Sequence, residues 1–433
     1  MTGRDVGNQG SAILEAPGVN QAHSPPKLQS VEDALAWIDA HTAALTSEDA
    51  PLAQAAGRIV AVDVATEVDL PPFDRAAAEG FAVRADETVG ASSYNPLPLR
   101  LVDAADGLPS GSAARMRAGD PLPSGADAVA ALEQVGDDGN RTCSIVEPVV
   151  AGAFVERMGS HVARGSRLAS AGRRLRPADI GLLASAGIGQ VRVVRRPRIR
   201  CLLAGRNVVE SGIRLSGDAV HDANGPLLES LIARDGGLLI EKRRVDRDVA
   251  AIRDALTSPG ADVVLVAGSS GLGPDDHAMP ALAEAGELVI HRVALRPGET
   301  TRIGRAKSGT LVFVLPGAPA DCLWGYDLLA SRAIRRLGGM SPALPFASQT
   351  MVAARKIVSE IGMTEVCPVH CQSNGTVVPI ASFAEAGLAA AAQADGFVIV
   401  SERSEGYSQG AAVVVYLCDE CSPHPALKTG PMA

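Results

Sequence analysis

Aromatic residues and cysteines are scarce in this chain of 433 residues. It has 7 Phe, 2 Trp and 4 Tyr, too few for the aromatic face on which single-stranded nucleic acids stack. Its 7 cysteines are an odd number spread over a long chain, whereas disulfide scaffolds are short and rich in cysteine. Neither class of protein fits this composition.

Net positive charge and long apolar runs are also lacking. The formal net charge is −9, which argues against a general nucleic-acid surface or anionic-membrane surface, because both need a positive field. No apolar run reaches the roughly 18 residues of a membrane-spanning helix, and the N-terminus has no apolar signal core. The sequence therefore predicts a cytoplasmic protein with neither nucleic-acid nor membrane partners.

The composition that is present, 46% hydrophobic and 21% charged, is that of a globular protein, and the length suggests several domains. Residues 1–27 lack apolar periodicity and are predicted to be a disordered arm. Ser30 begins an amphipathic helix, and further helices are expected at 50–58 and 177–187. Short apolar runs broken by Gly and Pro predict a mostly β segment between about 59 and 149.

From about residue 197 the pattern alternates between strands and helices. Strands are predicted at 199–203, 238–241, 263–267, 288–293 and 311–315, and helices at 224–235, 247–257, 276–285 and 319–337. This alternation indicates a parallel sheet covered by helices on both faces, in which ligands bind beyond the carboxyl ends of the strands. Residues 348–418 return to strands and suggest a separate all-β domain.

The strongest indication of a site is the glycine-rich segment directly after the 263–267 strand. Small residues at this position let backbone N–H groups approach an oxyanion, and the next helix adds its positive N-terminal dipole. The segment has neither the Gly-Lys-Ser/Thr of a P-loop nor the spacing of a dinucleotide fingerprint. The pattern fits a phosphate-binding turn, although a tight turn without a ligand is an equally common reading.

A second turn follows the 311–315 strand and opens at the same edge of the predicted sheet. Arg292, Arg296 and Arg302 are then placed to present positive charge to an anion, or else form a solvated face.

Five segments, in order, resemble the molybdopterin molybdenumtransferase family, called MoeA in bacteria and the gephyrin E domain in animals. Residues 70–84 resemble LPPFDxSxxDGYAVR, and residues 115–133 resemble RIxTGAxxPxGADAVVxxE. Residues 222–224 resemble a DSN element, and residues 268–276 resemble SGGVSVGxxD. The fifth match consists of two stretches, residues 296–298 and 315–319, which resemble KPGKP and LPGNP. The resemblance spans about residues 30–417.

The resemblance implies a multidomain α/β fold with a three-layer α/β/α pterin-binding domain at its centre, an N-terminal helical and small β region, and a C-terminal β-barrel. The boundaries that we predict are 1–27 for the arm, 28–60 plus 150–196 for an elongated helical and β domain, and 61–149 for a small β domain. The α/β domain is 197–342, the barrel 343–421 and the tail 422–433.

The resemblance also implies a reaction and its residues. Molybdate enters adenylylated molybdopterin, AMP leaves and Mg²⁺ assists, in a homodimer that serves molybdenum cofactor biosynthesis beside other proteins of that pathway or molybdoenzymes. The implied catalytic residues are Glu79, Asp276, Arg292 and Arg296, and the implied magnesium ligands are Asp276 and Asp248. The implied substrate-binding residues are Asp74, Asp222, Asn224, Gly268, Ser269, Ser270, Gly271, Gly273, Pro297, Gly298, Pro316, Gly317 and Pro319.

Several positions depart from the family pattern. Glu79 replaces an Asp, Ala118 a Thr and Glu299 a Lys, while Arg206 and Asn207 replace an acidic pair. Loss of one active-site group costs several kcal/mol of transition-state stabilisation. Two hypotheses remain: an active transferase, and a paralogue that binds molybdopterin or its cofactor without inserting metal, as a carrier, scaffold or regulator.

Four cysteines near the C-terminus have a spacing of separate interest. Cys367 and Cys371 form one pair and Cys418 and Cys421 another, and tetrahedral Zn²⁺ accepts four thiolates. The interval between the pairs exceeds the usual spacing of zinc sites, so ordinary reduced cysteines are the alternative.

Overall fold

The computed structural model describes residues 28–136, 141–205, 207–245, 248–271, 276–380 and 387–418. Within these ranges no helix combines the length and the apolar character needed to cross a membrane. The predicted arm at 1–27 and tail at 422–433 lie outside the described residues.

The first helix, Val31–His41, confirms the amphipathic prediction. The Ser30 hydroxyl accepts a hydrogen bond from the Asp33 backbone N–H, and Val31, Ala34 and Ile38 form the buried face. This face joins the core of the central α/β sheet rather than a core of its own. The helix therefore ties the N-terminal region to the domain that carries the glycine-rich turn.

The prediction of a helix at 50–58 is wrong. Ser47–Pro51 is a strand that pairs antiparallel with Gln190–Val194, and only the 3-10 turn Leu52–Gln54 follows it. The alanine-rich composition favours a helix locally, but Pro51 disfavours helical geometry in the residue before it, and pairing with a distant strand decides the outcome. The helix at 177–187 is confirmed as Pro177–Ser185, with Pro at its first turn.

A six-stranded sheet occupies the predicted small β segment. Its order is Ala128–Ala131, Gly80–Val83, Ser112–Met116, Leu97–Leu101, Thr142–Ile145, Val135–Gly136. Short antiparallel pairs connect this region to the elongated one: Val64–Ala65 with Arg167–Ala169, and Arg75–Ala76 with Val155–Glu156. Apolar clusters pack on both sides of the sheet.

The central sheet also has six strands, in the order Leu238–Val245, Arg198–Ala204, Val263–Ala267, Leu311–Leu315, Arg302–Ala306, Gly286–Ile290. The first four are parallel, Arg302–Ala306 runs antiparallel to them, and Gly286–Ile290 pairs antiparallel with Arg302–Ala306. The purely parallel sheet expected from the alternation is thus a mixed one. The strand Arg302–Ala306 has two charged residues and a glycine, so no apolar run predicted it.

Helices cover both faces of this sheet. They are Asn224–Arg234, Val249–Thr257, Ala278–Ala285 and a long helical segment made of Pro319–Gly325, Tyr326–Ala330 and Ser331–Leu337. Successive strand residues such as Leu202 and Leu203 belong to two different buried clusters, one on each face. The predicted three-layer α/β/α arrangement is therefore confirmed.

The C-terminal strands close into a barrel. Thr364–Cys371 pairs with Thr376–Pro379 and with Gly396–Val400, and the ring continues through Ala412–Leu417 and Ala347–Ala353. Leu295–Arg296 adds to it in parallel, which joins the central domain to the barrel. One short helix, Leu388–Gln393, interrupts the all-β pattern. The exact domain boundaries stay predictions.

Candidate active site

The glycine turn, residues 268–271, leaves the buried strand Val263–Ala267 in a conformation that only glycine accommodates at its first position. Gly268 has a φ of +92°, and a Cβ there would lie 2.3 Å from the Ala204 carbonyl oxygen. Ser269 follows with a φ of +52°, in the left-handed region that non-glycine residues seldom adopt. Such a turn keeps the backbone of 268–271 close to the neighbouring strand end.

The proline turn, residues 316–318, follows the adjacent strand Leu311–Leu315 and lies against the glycine turn. A Cβ placed on Gly317 would contact the Gly268 Cα at 3.5 Å. The Asn224 side chain donates from Nδ2 to the Gly317 carbonyl oxygen at 2.9 Å. Asn224, at the start of the helix Asn224–Arg234, thus holds the second turn in place.

Asp222 fixes the entry to this helix. Its Oδ1 accepts the Gly225 backbone N–H at 2.8 Å, and a Cβ on Gly225 would fall 2.2 Å from Asp222 Oδ2. The carboxylate therefore needs glycine at 225 and lies 9% exposed at the edge of the sheet. Three sequence segments predicted for the site, 222–224, 268–271 and 316–317, meet here.

These segments enclose a cavity of about 990 Å³ at the carboxyl edge of the parallel strands. Of the predicted residues, eight line it: Asp222, Asn224, Gly268, Ser269, Ser270, Gly271, Pro316 and Gly317. Asn207 also lines it, as do three polar residues that sequence reasoning missed: Asp218, Thr300 and Asp321. A cavity of this volume suits a ligand of cofactor size.

Two buried polar atoms belong to these lining residues. Ser269 Oγ and Asn224 Oδ1 have no hydrogen-bond partner among the residues that the structure describes. Buried polar groups are normally paired, so these two atoms are exceptions within the cavity wall. Ser270 and Thr300, whose hydroxyls lie 3.2 Å apart, add two more hydroxyl groups to the wall.

Asp321 gives the cavity a carboxylate with altered acidity. It lies in the first turn of Pro319–Gly325, and its Oδ2 accepts the Gly298 backbone N–H at 3.1 Å. Burial raises the pKa of Asp321 above its usual value, because the charged form loses hydration, although the Gly298 hydrogen bond opposes the shift. The only sequence clue was its position just after the proline turn.

Comparison with known families identifies the family to which the chain belongs. Family models match three stretches: the MoeA N-terminal region (domain I and II) over 29–187, a probable molybdopterin binding domain over 204–336, and the MoeA C-terminal region (domain IV) over 350–418. Together they span most of the chain. The chain belongs to the MoeA family.

Individual proteins similar to this chain support the same family assignment. The molybdopterin molybdenumtransferase of Staphylococcus epidermidis is 25% identical over 91% of this chain and 96% of its own length. Molybdopterin molybdenumtransferase 2 of Mycobacterium tuberculosis is 28% identical over 70% of this chain and 78% of its own. A crystal structure of a molybdopterin biosynthesis MoeA protein from Pyrococcus horikoshii has a TM-score of 0.68 and 31% identity, and covers 91% of this chain and all of that one.

The MoeA-like acid at the end of the glycine segment, Asp276, is paired with an arginine. Its Oδ2 lies 2.8 Å from Arg302 Nη2, and its Oδ1 accepts the Met279 backbone N–H at 3.2 Å. Arg302 also donates to the carbonyl oxygens of Gly271 and His291. Asp276 is therefore held by neighbours of the cavity and does not itself line it.

The arginines predicted to bind anions are neutralised by acids. Arg292 forms an ion pair with Glu299. Arg296 pairs with Glu360 at 2.7 Å and Glu365 at 3.1 Å, and the hydrogen bond that it donates to Glu360 is the main reason that the pKa of Arg296 is raised. Neither arginine lines the cavity, nor do Pro297, Gly298 and Pro319. Gly298 is connected to the cavity by the hydrogen bond that its backbone N–H donates to Asp321.

Glu79 and Asp74 lie in other parts of the fold and do not line the cavity. Glu79 is exposed, just before the strand Gly80–Val83 of the small β sheet. Asp74 accepts the Met158 backbone N–H at 2.8 Å and the Arg157 guanidinium at 2.6 Å, and these two hydrogen bonds lower the pKa of Asp74. The structure does not bring these two predicted residues to the glycine turn.

Of the residues predicted to bind metal, Asp248 is engaged elsewhere, and the described cysteines belong to the barrel region. Asp248 caps the helix Val249–Thr257 by accepting the Ala250 and Ala251 backbone N–H groups. Cys367 is buried inside the barrel, where loss of hydration raises the pKa of its thiol to about 12. Cys371 lies at the end of the same strand, and Cys418 is exposed beyond the last one.

Some predicted residues cannot be placed. Gly273, Cys421 and Arg206 lie outside the described residues. Within the described part of the chain, no three His, Cys, Asp or Glu side chains come together in a way that would hold a metal ion.

Proposed function

We propose that this chain is a molybdopterin molybdenumtransferase, which inserts molybdate into adenylylated molybdopterin and releases AMP in molybdenum cofactor biosynthesis. The observation that carries the proposal is the convergence of the glycine turn, the proline turn and Asn224 on one cavity of about 990 Å³. Membership of the MoeA family and relatives named as molybdopterin molybdenumtransferases support it.

The phosphate groups of the substrate would contact the glycine turn. Backbone N–H groups at such a turn, together with the hydroxyls of Ser269, Ser270 and Thr300, are hydrogen-bond donors to oxyanions. Asn224 Oδ1, buried without a partner among the described residues, is an acceptor for N–H groups of the pterin.

The charged side chains of the described cavity wall are negative, which limits how it can bind an anionic substrate. The charged side chains that line its described wall are Asp218, Asp222 and Asp321, and no arginine or lysine accompanies them there. A polyanionic substrate is then held mainly by backbone and hydroxyl groups, or by Arg206, which adjoins Asn207 in the sequence but lies outside the described residues.

Magnesium, which the family resemblance implies, stays a prediction. The two carboxylates expected to bind it do not fit that role, because Asp276 pairs with Arg302 and Asp248 caps a helix. Molybdate is the metal substrate in the proposed reaction and needs no resident protein ligand set.

The homodimer implied by the resemblance and the cytoplasmic location predicted from the sequence belong to the same proposal. In that arrangement the small β domain, with Glu79, reaches the partner subunit. Other proteins of cofactor biosynthesis, or molybdoenzymes, would receive the product.

Release of AMP tests the proposal directly. Purified protein is incubated with adenylylated molybdopterin, with and without molybdate and Mg²⁺, and binding is measured on the same sample. AMP release that depends on molybdate is the expected result. Tight binding without release would contradict the transferase and favour the second candidate.

That second candidate is a pterin-binding paralogue that acts as a carrier, scaffold or regulator. The pairing of Arg292 and Arg296 with Glu299, Glu360 and Glu365 favours it, since these cations are committed within the protein. In a paralogue of this kind the cavity keeps its shape, but its described wall offers no positive charge to stabilise a developing anion.

A further inference from the structure

A second large cavity lies at the opposite edge of the central sheet from the candidate active site. Its volume is about 870 Å³, and Glu48, Arg58, Arg195, Arg196, Arg198 and Asp262 contribute its charged lining. Arg198 begins the strand Arg198–Ala204, and Asp262 immediately precedes the strand Val263–Ala267. The carboxyl ends of these two strands line the cavity of the candidate active site, which is called the pterin cavity below. The two cavities are thus separated by the length of the sheet.

Positive charge exceeds negative charge in this arginine cavity. Asp262 makes a two-pronged ion pair with Arg195, both distances being 2.7 Å, and accepts the Arg198 backbone N–H. Glu48 pairs with Arg58. The four arginines are therefore matched by two carboxylates, and the lining carries an excess of two positive charges.

The unmatched charge resides on Arg196 and Arg198. Both side chains are exposed, and neither forms a hydrogen bond or ion pair with any side chain that the structure describes. Charge-bearing guanidinium groups in a concave site favour oxyanions, because their planar donors match pairs of oxygen atoms.

Arg58 shows that the lining is more than a solvated surface. Its side chain is 8% exposed, its Nη2 donates to the Val194 carbonyl oxygen at 3.0 Å, and its Nε has no hydrogen-bond partner among the described residues. A smaller cavity of about 130 Å³ shares Arg58, Arg195 and Arg196 and adds Arg174. The guanidinium of Arg58 is thus held in place within a lining of surplus positive charge, and such a lining favours an anion.

We propose that the arginine cavity binds a small, doubly charged oxyanion, either inorganic phosphate or a phosphate monoester. Its two negative charges equal the excess charge of the lining. Arg58 belongs to the N-terminal region and Arg198 to the central sheet, so the bound anion bridges the two. This site goes beyond the proposed transferase function and does not depend on it.

Binding of inorganic phosphate to the full chain, measured by titration calorimetry, tests this site. The variant Arg196→Ala with Arg198→Ala removes the unmatched charge without touching a buried group. We expect this variant to bind phosphate at least about tenfold more weakly at the arginine cavity, since two charge-assisted hydrogen-bonding groups are lost. The matched control is Arg100→Ala with Arg355→Ala, two exposed arginines with no ion pair in the described structure, and it should bind as the unchanged protein does.

The pterin cavity is itself expected to accept phosphate, so the comparison between variants locates each binding event. The proposal is supported if one phosphate-binding event is lost in the variant Arg196→Ala with Arg198→Ala and is kept in the control variant. An absence of phosphate binding, or binding that both double variants leave unchanged, overturns it. A parallel titration with AMP separates the sources: tighter binding of AMP than of phosphate at this site identifies an organic phosphate as the occupant, and the reverse identifies the free ion.

Discussion

Arg302 and Asp276 form an ion pair of 2.8 Å in which the two side chains are only 3% and 8% exposed. The same guanidinium donates to the Gly271 carbonyl oxygen, while the carboxylate also accepts the Met279 backbone N–H. The pair therefore connects the last residue of the glycine turn to the start of the following helix. The acid retained from the family motif is thus a partner of Arg302 and of the helix start.

Removing one member of this pair should destabilise the fold strongly. Arg302→Ala leaves a buried carboxylate without its partner, and such a loss costs about 3–5 kcal/mol. Urea unfolding at neutral pH measures the change. The double variant Arg302→Ala with Asp276→Asn should recover part of the loss, and Arg305→Ala, an exposed arginine on the same strand, should change stability by about 0.5 kcal/mol or less. Equal effects for Arg302→Ala and Arg305→Ala would contradict this account.

Two glycines with nearly the same backbone conformation separate strain from steric clash. Gly268 and Gly260 have φ values of +92° and +94°, but a Cβ on Gly260 meets no atom within 4 Å, whereas one on Gly268 lies 2.3 Å from the Ala204 oxygen. Gly260→Ala should cost about 1 kcal/mol of unfolding free energy, the penalty of the left-handed conformation. Gly268→Ala should cost clearly more and should also weaken ligand binding in the cavity. Similar losses in both would show that the close approach to Ala204 is unimportant.

The apolar central strands, the glycine turn and the proline turn were predictable because they depend on local signals, whereas segment 222–224 was predicted from the family resemblance. A buried strand such as Val263–Ala267 is a continuous apolar run, and the turn after it is marked by glycine. The antiparallel strand Arg302–Ala306 and the strand Ser47–Pro51 were not predictable in this way, because pairing with distant strands stabilises them. The same holds for charge: sequence placed Arg296 near the site, but its pairing with the barrel residue Glu365 depends on tertiary contact.

Asp321 should weaken the binding of anionic ligands, and its removal should strengthen it. Asp321→Asn keeps an oxygen for the Gly298 N–H but removes a negative charge from the cavity wall. We expect affinity for adenylylated molybdopterin to rise about three- to tenfold, as one repulsive charge is lost. Calorimetric titration measures it, with Asp321→Glu as the control that retains the charge.

The pH dependence gives an independent check on Asp321. Because burial raises the pKa of its carboxyl group, protonation at moderately acidic pH neutralises it earlier than an ordinary aspartate. Affinity in the unchanged protein should therefore increase as the pH falls through this pKa, and Asp321→Asn should lack that component. An identical pH profile in the two proteins would rule out the effect.

Asp179 should stabilise the fold except in strong acid. Its carboxylate accepts hydrogen bonds from Arg173 and from the Arg176 backbone N–H, and the Arg173 contact is the main reason that its pKa is lowered to about 2. A lowered pKa in the folded state gives stability that is fully present above pH 3.8 and is lost as the pH falls towards 2. Asp179→Asn should lose about 2 kcal/mol at pH 7 by urea unfolding. Asp106→Asn, at an exposed position for which the structure describes no ion pair, controls for loss of charge alone. A loss for Asp179→Asn that persists unchanged at pH 2 would contradict the linkage.

Restoring the acidic pair at 206 and 207 tests whether its absence limits catalysis. Asn207 lines the cavity and donates its side-chain amide to Asp218, so Asn207→Glu places two carboxylates side by side. Their repulsion is relieved by a divalent cation, which prefers carboxylate oxygens. The double variant Arg206→Asp with Asn207→Glu should therefore release AMP several-fold faster than the unchanged protein, and only when Mg²⁺ is present. Asn207→Gln with Arg206→Gln is the uncharged control. No gain in either the rate or its dependence on Mg²⁺ would show that the acidic pair is not what limits this site.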